Sequence, residues 1–157
     1  MELTAAELAS ITGGTVTAGS PGARVTSFAI DSRVVEPGAC FVALVAERDG
    51  HDFVPDAFAR GARIAVVTDA RDHVAPDAGA VVRVRDAFTA FGDLARAARA
   101  ALGDVIVVGI TGSAGKTGTK DLTAAALAPK YALHASPGSY NNEAGVPLTL
   151  LAASADT

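Results

Sequence analysis

The chain has 157 residues, half of them apolar and only 5% aromatic, with a formal net charge of −4. This length fits one ordinary domain or two small ones, and the apolar content is enough to bury a core between helices and sheets. The acidic balance gives no support to nucleic-acid binding, and no apolar run approaches the roughly 18 residues that a membrane span requires.

The first part of the chain predicts a helix followed by two short strands. Thr4 and Glu7 have the spacing of a capping box, so a helix is expected to begin there and to end at the glycines of residues 13–14. Apolar and β-branched residues predict strands over 25–30 and 40–45.

The next part completes a small unit in which helices and strands alternate. A polar loop over 48–52 precedes a helix over 55–60, and strands are expected over 64–68 and 81–84. We therefore expect an α/β fold, with a first domain that ends near residue 85.

A second domain is expected over residues 86–157. Asp86 has the right position to cap a long amphipathic helix that ends near Gly103. The predicted elements after it are a strand over 105–110, a helix over 116–127, a strand over 131–135 and a helix over 146–153. One βαβ unit and one more helix are too few for a doubly wound domain, so we expect this domain to be truncated.

Two features bear on the compartment. Cys40 is the single cysteine, which excludes an intrachain disulfide, and its apolar surroundings favour a buried hydrophobe over a nucleophile. Residues 1–10 lack the basic head and the apolar stretch of a signal peptide. A cytoplasmic protein is expected.

A glycine-rich loop between the strand over 105–110 and the helix over 116–127 carries the strongest functional signal. It reads Gly109-x-x-Gly112-x-x-Gly115-Lys116-Thr117, whereas the usual phosphate-loop pattern would place its first glycine at Ile110. The flanking strand and helix favour phosphate binding, with Lys116 reaching the outer phosphates and Thr117 binding Mg²⁺. The alternatives are a purely structural turn, a surface lysine and a threonine that only starts a helix.

Three further motifs are weaker. Asp31-Ser32-Arg33 follows a strand and is either an ordinary turn or a polar cluster that binds a sugar or diphosphate. His51 is expected to be a solvent-facing loop residue, and no histidine spacing supports a metal site. Asn141 and Asn142 are either a turn and helix cap, or substrate contacts beside the phosphate loop at the carboxyl edge of the sheet.

Three stretches of the sequence together resemble the Mur ligases of peptidoglycan synthesis. Residues 28–53, FAIDSRVVEPGACFVALVAERDGHDF, resemble the N-terminal domain of the two late ligases, and residues 107–121, VVGITGSAGKTGTKD, resemble the ATP loop of the family. Residues 140–151, YNNEAGVPLTLL, resemble the member that adds D-alanyl-D-alanine. The member that adds the third residue, a diamino acid, typically has a threonine-rich string there and stays open as an alternative.

The resemblance implies an ATP-dependent ligase that phosphorylates the terminal carboxylate of a UDP-N-acetylmuramoyl-tripeptide, which the amine of D-alanyl-D-alanine then attacks. It implies ATP and Mg²⁺ as cofactors, Lys116 and Thr117 as catalytic residues, and Thr117 as the metal ligand. Ser32 and Arg33 would belong to the uridine-diphosphate pocket, and Asn141 and Asn142 would contact substrate. The residues that would hold the ATP phosphates are Gly112, Ser113, Ala114, Gly115, Lys116, Thr117 and Gly118.

Two residues depart from the family pattern, which often has Asn or Ser at Ala114 and Thr or Ser at Gly118. Neither rules out ATP binding, because the loop acts mostly through its backbone and Thr117 remains in place. The family's other Mg²⁺ ligands, its carbamylated lysine and its adenine contacts are not in this chain, so residues 1–157 are expected to be a monomer that is inactive alone. A non-catalytic module that binds the UDP-sugar peptide remains an alternative, whereas an unrelated phosphate-loop kinase has no use for residues 28–53.

Overall fold

The computed structural model describes residues 1–69, 71–138, 140, 142–154 and 156–157. Short 3-10 turns cover Ser32–Val34 and Gly50–Phe53. The strands are β1 (Leu3–Thr4), β2 (Thr15–Gly19), β3 (Arg24–Val25), β4 (Phe28–Ala29), β5 (Cys40–Val42), β6 (Ile64–Val67) and β7 (Ala80–Arg83). The helices are α1 (Ala5–Thr12), α2 (Val54–Ala59), α3 (Ala87–Ala101), α4 (Lys116–Leu127) and α5 (Gly145–Ala152).

One sheet organises the first part of the chain, with the strand order β2-β7-β6-β5-β4. Strands β4 to β7 run parallel, and β2 joins antiparallel to β7 with an irregularity between Val16 and Ala18. β1 and β3 form a separate antiparallel pair in which Leu3 faces Val25. The predicted α/β class is confirmed, but the expected strand over 25–30 is divided between β3 and β4.

Both faces of this sheet are buried, as is usual for parallel strands covered by helices. Alternate residues of β5, β6 and β7 point to opposite sides. The face that packs against α1 and α3 carries Cys40, Val42, Ile64, Val66, Ala80 and Val82. The face that packs against α2 carries Phe41, Ala65, Val67 and Val81. Cys40 is fully buried, and burial raises the pKa of its thiol, which confirms the buried hydrophobe.

Local capping signals correctly placed the ends of two helices. The Thr4 hydroxyl accepts from the Glu7 N–H, the Glu7 carboxylate accepts from the Thr4 N–H, and Gly13 closes α1 in the left-handed conformation. The Asp86 carboxylate accepts from the Thr89 N–H at 2.7 Å and starts α3. These predictions depended only on residues within about one helical turn of each other in the sequence.

Helix α3 packs against both α1 and α5, and α5 also contacts β4. The inner face of α3 is fully buried at Phe91 and Leu94, and Leu151 of α5 joins the same core. Helix α5 is therefore attached to the core that α3 shares with the sheet.

The strands predicted over 105–110 and 131–135 are absent from the described structure, although both segments are apolar. No described strand pairs with either of them, so Ile106 remains 83% exposed. Helix α4 has no buried residue. These two segments, α4 and α5 line an open groove of about 610 Å³.

Candidate active site

The phosphate loop, residues 109–117, forms an exposed turn at the N-terminus of α4. Gly112 has φ of 151° and Gly115 has φ of 75°, both in the region that favours glycine. Gly115 is the N-cap of α4, and no side chain caps the first turn of that helix. The first N–H groups of α4 therefore have no partner within the helix, and its dipole adds to the attraction for an anion.

Lys116 lies over the mouth of this loop. Its Nζ donates to the Gly112 carbonyl oxygen at 2.6 Å. The ammonium thereby occupies a position in which the oxygen of a phosphate can replace the carbonyl as its acceptor. Thr117 is exposed, and among the described residues no hydrogen bond is made by its hydroxyl, which can therefore serve as a ligand. The Thr119 hydroxyl instead bonds back to the Gly115 carbonyl at 3.0 Å.

The amide segment, residues 136–144, connects the apolar stretch after α4 to α5. Lys120 Nζ donates to the Ser136 carbonyl at 2.8 Å, which joins this segment to α4. The Asn142 side-chain oxygen accepts from the Gly145 N–H at 2.7 Å, so Asn142 holds the start of α5 and keeps its amide N–H groups available. Asn141, the other predicted contact, lies outside the described residues.

Ser32 and Arg33 form a turn at the carboxyl end of β4. The Asp31 carboxylate accepts from the Arg33 N–H at 3.0 Å and makes a two-pronged ion pair with its guanidinium, at 2.9 and 2.6 Å. These bonds from the Arg33 side chain and then its backbone hold the pKa of Asp31 at about 2. The 79% exposed Arg33 side chain keeps its outer donors in solvent.

Ser32 is buried, and its hydroxyl lies close to the Asp56 carboxylate of α2. The Ser32 hydroxyl is the first cause of the lowered pKa of Asp56, and the ion pair with Arg60 adds to it. The sequence did not point to Asp56, because nothing in the local pattern connects α2 with the turn after β4. The roles of Ser32 and Arg33 as substrate contacts stay predictions.

His51 was expected to face solvent, and this is wrong because the side chain is buried. Its Nδ1 lies 2.5 Å from an Asp49 carboxylate oxygen, and its Nε2 accepts from the Thr68 N–H at 2.9 Å. Since a backbone N–H can only donate, Nε2 carries no proton, and the ring is held as the neutral Nδ1–H tautomer. His51 therefore ties the loop after β5 to the end of β6.

Arg71 reinforces the same connection from outside. Its guanidinium contacts Asp69, and it pairs with Asp49 at 2.8 Å and with Asp52 at 2.7 Å. These carboxylates raise the pKa of Arg71, and Asp52 is the largest cause. The cluster of Arg71 and its three carboxylates thus contains charges of both signs. Among the described residues, no three His, Cys, Asp or Glu side chains converge as metal ligands.

The turn after β4, the loop after β5 and the end of β6 lie at one edge of the sheet, because carboxyl ends of parallel strands share an edge. The amide segment is joined to α4 through Lys120. The described structure shows no hydrogen bond between the Arg33 side chain and the phosphate loop. The sequence analysis missed Lys120, although its spacing of four residues from Lys116 puts both on one side of α4.

Comparison with known families fits this geometry. Residues 24–102 match the family described as "Mur ligase family, catalytic domain", and residues 110–157 match "Mur ligase middle domain". The chain belongs to the Mur ligase family.

Relatives within this family carry a more specific name. The UDP-N-acetylmuramoyl-tripeptide–D-alanyl-D-alanine ligase of Mycobacterium tuberculosis strain H37Rv is 43% identical over an alignment that covers 100% of this chain and 35% of the relative. The ligase of the same name from Bacillus subtilis is 44% identical over 79% of this chain and 27% of its own length. The chain thus spans about a third of the relatives it matches.

Solved structures agree with this relationship. A crystal structure of MurF from Acinetobacter baumannii superposes with a TM-score of 0.87 at 30% identity, covering 99% of this chain and 34% of that one. The MurF ligase of Thermotoga maritima in complex with ADP gives a TM-score of 0.60 at 34% identity, covering 81% of this chain and 29% of that one. Among the described residues, no helix has the length and apolar character to cross a bilayer.

Proposed function

We propose that residues 1–157 are the N-terminal part of an ATP-dependent ligase that joins D-alanyl-D-alanine to a UDP-N-acetylmuramoyl-tripeptide in peptidoglycan precursor synthesis. The observation that carries the proposal is the 43% identity, over all of this chain, to ligases of that name. In this proposal residues 1–85 serve the UDP substrate and residues 86–157 begin the ATP-binding domain. The protein acts as a monomer in the cytoplasm.

The phosphate loop fits the phosphates of ATP. The first-turn N–H groups of α4 are available, and the Lys116 ammonium bonds a backbone carbonyl that a phosphate oxygen can displace. Residues 112–118 would hold the phosphates, and the Thr117 hydroxyl would be one ligand of Mg²⁺. The related Thermotoga maritima ligase was solved in complex with ADP, which supports a nucleotide at this loop.

The chemistry explains why a cation is needed at this place. Transfer of the γ-phosphoryl group of ATP gives the peptide carboxylate a good leaving group, which the amine of D-alanyl-D-alanine can displace. A carboxylate and a triphosphate repel each other, so Lys116 and Mg²⁺ held by Thr117 would reduce that repulsion. Ser32 and Arg33 would bind the uridine diphosphate, and Asn141 and Asn142 would contact the peptide near the reacting carboxylate.

A single assay tests the assignment. The full-length ligase, incubated with ATP, Mg²⁺, UDP-N-acetylmuramoyl-tripeptide and D-alanyl-D-alanine, should release phosphate and form the pentapeptide product, followed by mass spectrometry. Lys116→Met should weaken Mg-ATP binding by about 10- to 100-fold, the value of a charged hydrogen bond, whereas Lys130→Met should not. Absence of product from the folded wild-type enzyme would contradict the proposal.

Two alternatives have distinct outcomes. The member that adds the third residue would instead join a diamino acid to a UDP-N-acetylmuramoyl-dipeptide, so the same enzyme is assayed with that pair. A binding module without chemistry would bind the UDP-sugar peptide and ignore Mg-ATP in isothermal titration. Binding of both ligands together with D-alanyl-D-alanine transfer is the result that we expect.

A further inference from the structure

Lys120 links the helix that follows the phosphate loop to the amide segment. We propose that it is a positioning residue, which holds the amide segment in place beside α4 while the ligase acts. The kinetic part of this inference rests on the proposed function. Its structural part concerns only how residues 136–144 are held.

The Lys120 ammonium is held by two acceptors. Its Nζ donates to the Ser136 carbonyl at 2.8 Å and pairs with an Asp121 carboxylate oxygen at 2.7 Å. Only 19% of the Lys120 side chain is exposed, against 64% for Asp121. The aliphatic stem is therefore packed, and the ammonium is directed at the start of the amide segment.

The other end of the amide segment is held independently. Asn142 accepts from the Gly145 N–H at 2.7 Å and so fixes the segment to α5, while the Tyr140 N–H bonds the Pro137 carbonyl at 3.3 Å. Among the described residues, no other side chain of α4 donates to the segment. The hydrogen bond from Lys120 therefore connects the segment that contains Asn142 to α4.

A fixed segment matters because a reacting group must be held in place before the reaction. Hydrogen bonds at Ser136 and at Asn142 each restrict the backbone conformations of the residues that carry them. A loss of the Lys120 bond would release the segment from α4 while leaving the phosphate loop and Lys116 intact. The ligase would then bind nucleotide normally but hold the peptide substrate less well in the productive geometry.

The kinetic experiment compares three variants of the full-length ligase. Lys120→Met keeps the stem but removes the donor, Lys120→Arg keeps donors, and Lys130→Met removes an exposed lysine that lies over the Tyr131 ring. We expect Lys120→Met to lower kcat about 10-fold with the Kd for Mg-ATP within twofold of wild type, Lys120→Arg to recover most of the activity, and Lys130→Met to match wild type. Equal losses in Mg-ATP affinity and in kcat/KM would show that Lys120 binds the nucleotide itself and would overturn the inference.

Hydrogen exchange provides a measurement that does not depend on activity. In Lys120→Met, amides over residues 138–145 should exchange at least several-fold faster than in wild type, whereas those of α3 should be unchanged. Unaltered exchange over 138–145 in folded Lys120→Met would refute the positioning role. A wild-type enzyme without ligase activity would contradict the proposed function. The exchange experiment would still test the structural role of Lys120.

Discussion

Asp31 and Arg33 show how much a surface ion pair can contribute here. Because the pKa of Asp31 in the folded chain, about 2, lies below its ordinary value of 3.8, its carboxylate stabilises the fold above pH 4. That contribution is lost as the pH falls through 2. The two side chains are 37% and 79% exposed, so solvent screening limits the gain to less than about 1 kcal/mol.

We therefore expect Asp31→Asn to lower the free energy of unfolding slightly at pH 7 and to have a progressively smaller effect as the pH falls towards and below 2. Urea unfolding of wild type and variant at several pH values would measure the difference. Glu47→Gln is the control, because this exposed carboxylate makes no ion pair among the described residues. A difference that stays constant between pH 7 and pH 2 would assign the effect to the turn and not to the charge.

His51 should contribute far more, because its bonds are buried. Its replacement leaves the Thr68 N–H without its acceptor and removes one of the partners of Asp49, which also pairs with Arg71. We expect His51→Ala to lower the free energy of unfolding by about 2–3 kcal/mol. The exposed His134 offers the matched control, since His134→Ala should change stability by less than about 0.5 kcal/mol. Equal free energies of unfolding in urea for His51→Ala and wild type would show that the buried hydrogen bonds of His51 make no net contribution to stability.

At the scale of elements, the ends of helices could be predicted from the sequence, whereas the pairing of strands could not. Asp86 and Gly13 act on neighbouring residues, so their capping roles follow from the sequence alone. The ladder partners of Thr15–Gly19 lie in Ala80–Arg83, which no local pattern indicates. His51 was misplaced for the same reason, because its bond to Thr68 spans 17 residues.

In the candidate site, too, the features set by the local sequence could be predicted and those set by the packing of separate elements could not. The glycine spacing before Lys116 indicated the phosphate loop directly, since its geometry is set by the local backbone. The hydrogen bond from Lys120 to Ser136 and the closeness of Ser32 to Asp56 depend on how separate elements pack. Such contacts need the fold, so the sequence could propose Ser32 as a site residue without showing what its hydroxyl binds.

Two glycines at the start of α4 should respond in opposite ways to the same substitution. A Cβ at Gly115 or Gly118 would meet no atom within 4 Å, but only Gly115 has a left-handed backbone, with φ of 75°. Gly118→Ala should stabilise the helix by about 0.5–1 kcal/mol, because it removes a flexible residue from a helical turn. Gly115→Ala should destabilise the loop by about 1 kcal/mol. Thermal unfolding followed by circular dichroism would compare the pair, and a shift of the same sign for both would be the contrary result.

At the scale of the whole molecule, the two parts of the chain differ in how much apolar surface they bury. The first sheet is covered on both faces, whereas α4 has no buried residue and Ile106 is 83% exposed. The described apolar surface around α4 therefore has no core of its own to join.

Residues 1–157, purified alone, should form no amide product from ATP, the UDP-tripeptide and D-alanyl-D-alanine. The reason is that the chain spans about a third of the ligases it matches, so the proposed ATP-binding domain is represented only by its first part. Mass spectrometry of the reaction mixture would measure this, with the full-length ligase as the positive control. Turnover by the 157-residue chain that disappears in Lys116→Met would show that the loop and its neighbours suffice.

The shared packing of α3 has a consequence for variants far from any ligand. Phe91 is completely buried, and the helix that carries it packs against both α1 and α5. Damage inside this helix would therefore reach the junction of the amide segment with α5 while leaving the phosphate loop unchanged. In the proposed ligase, activity would thus fall on substitution of a residue that contacts no substrate, because a shared support is loosened.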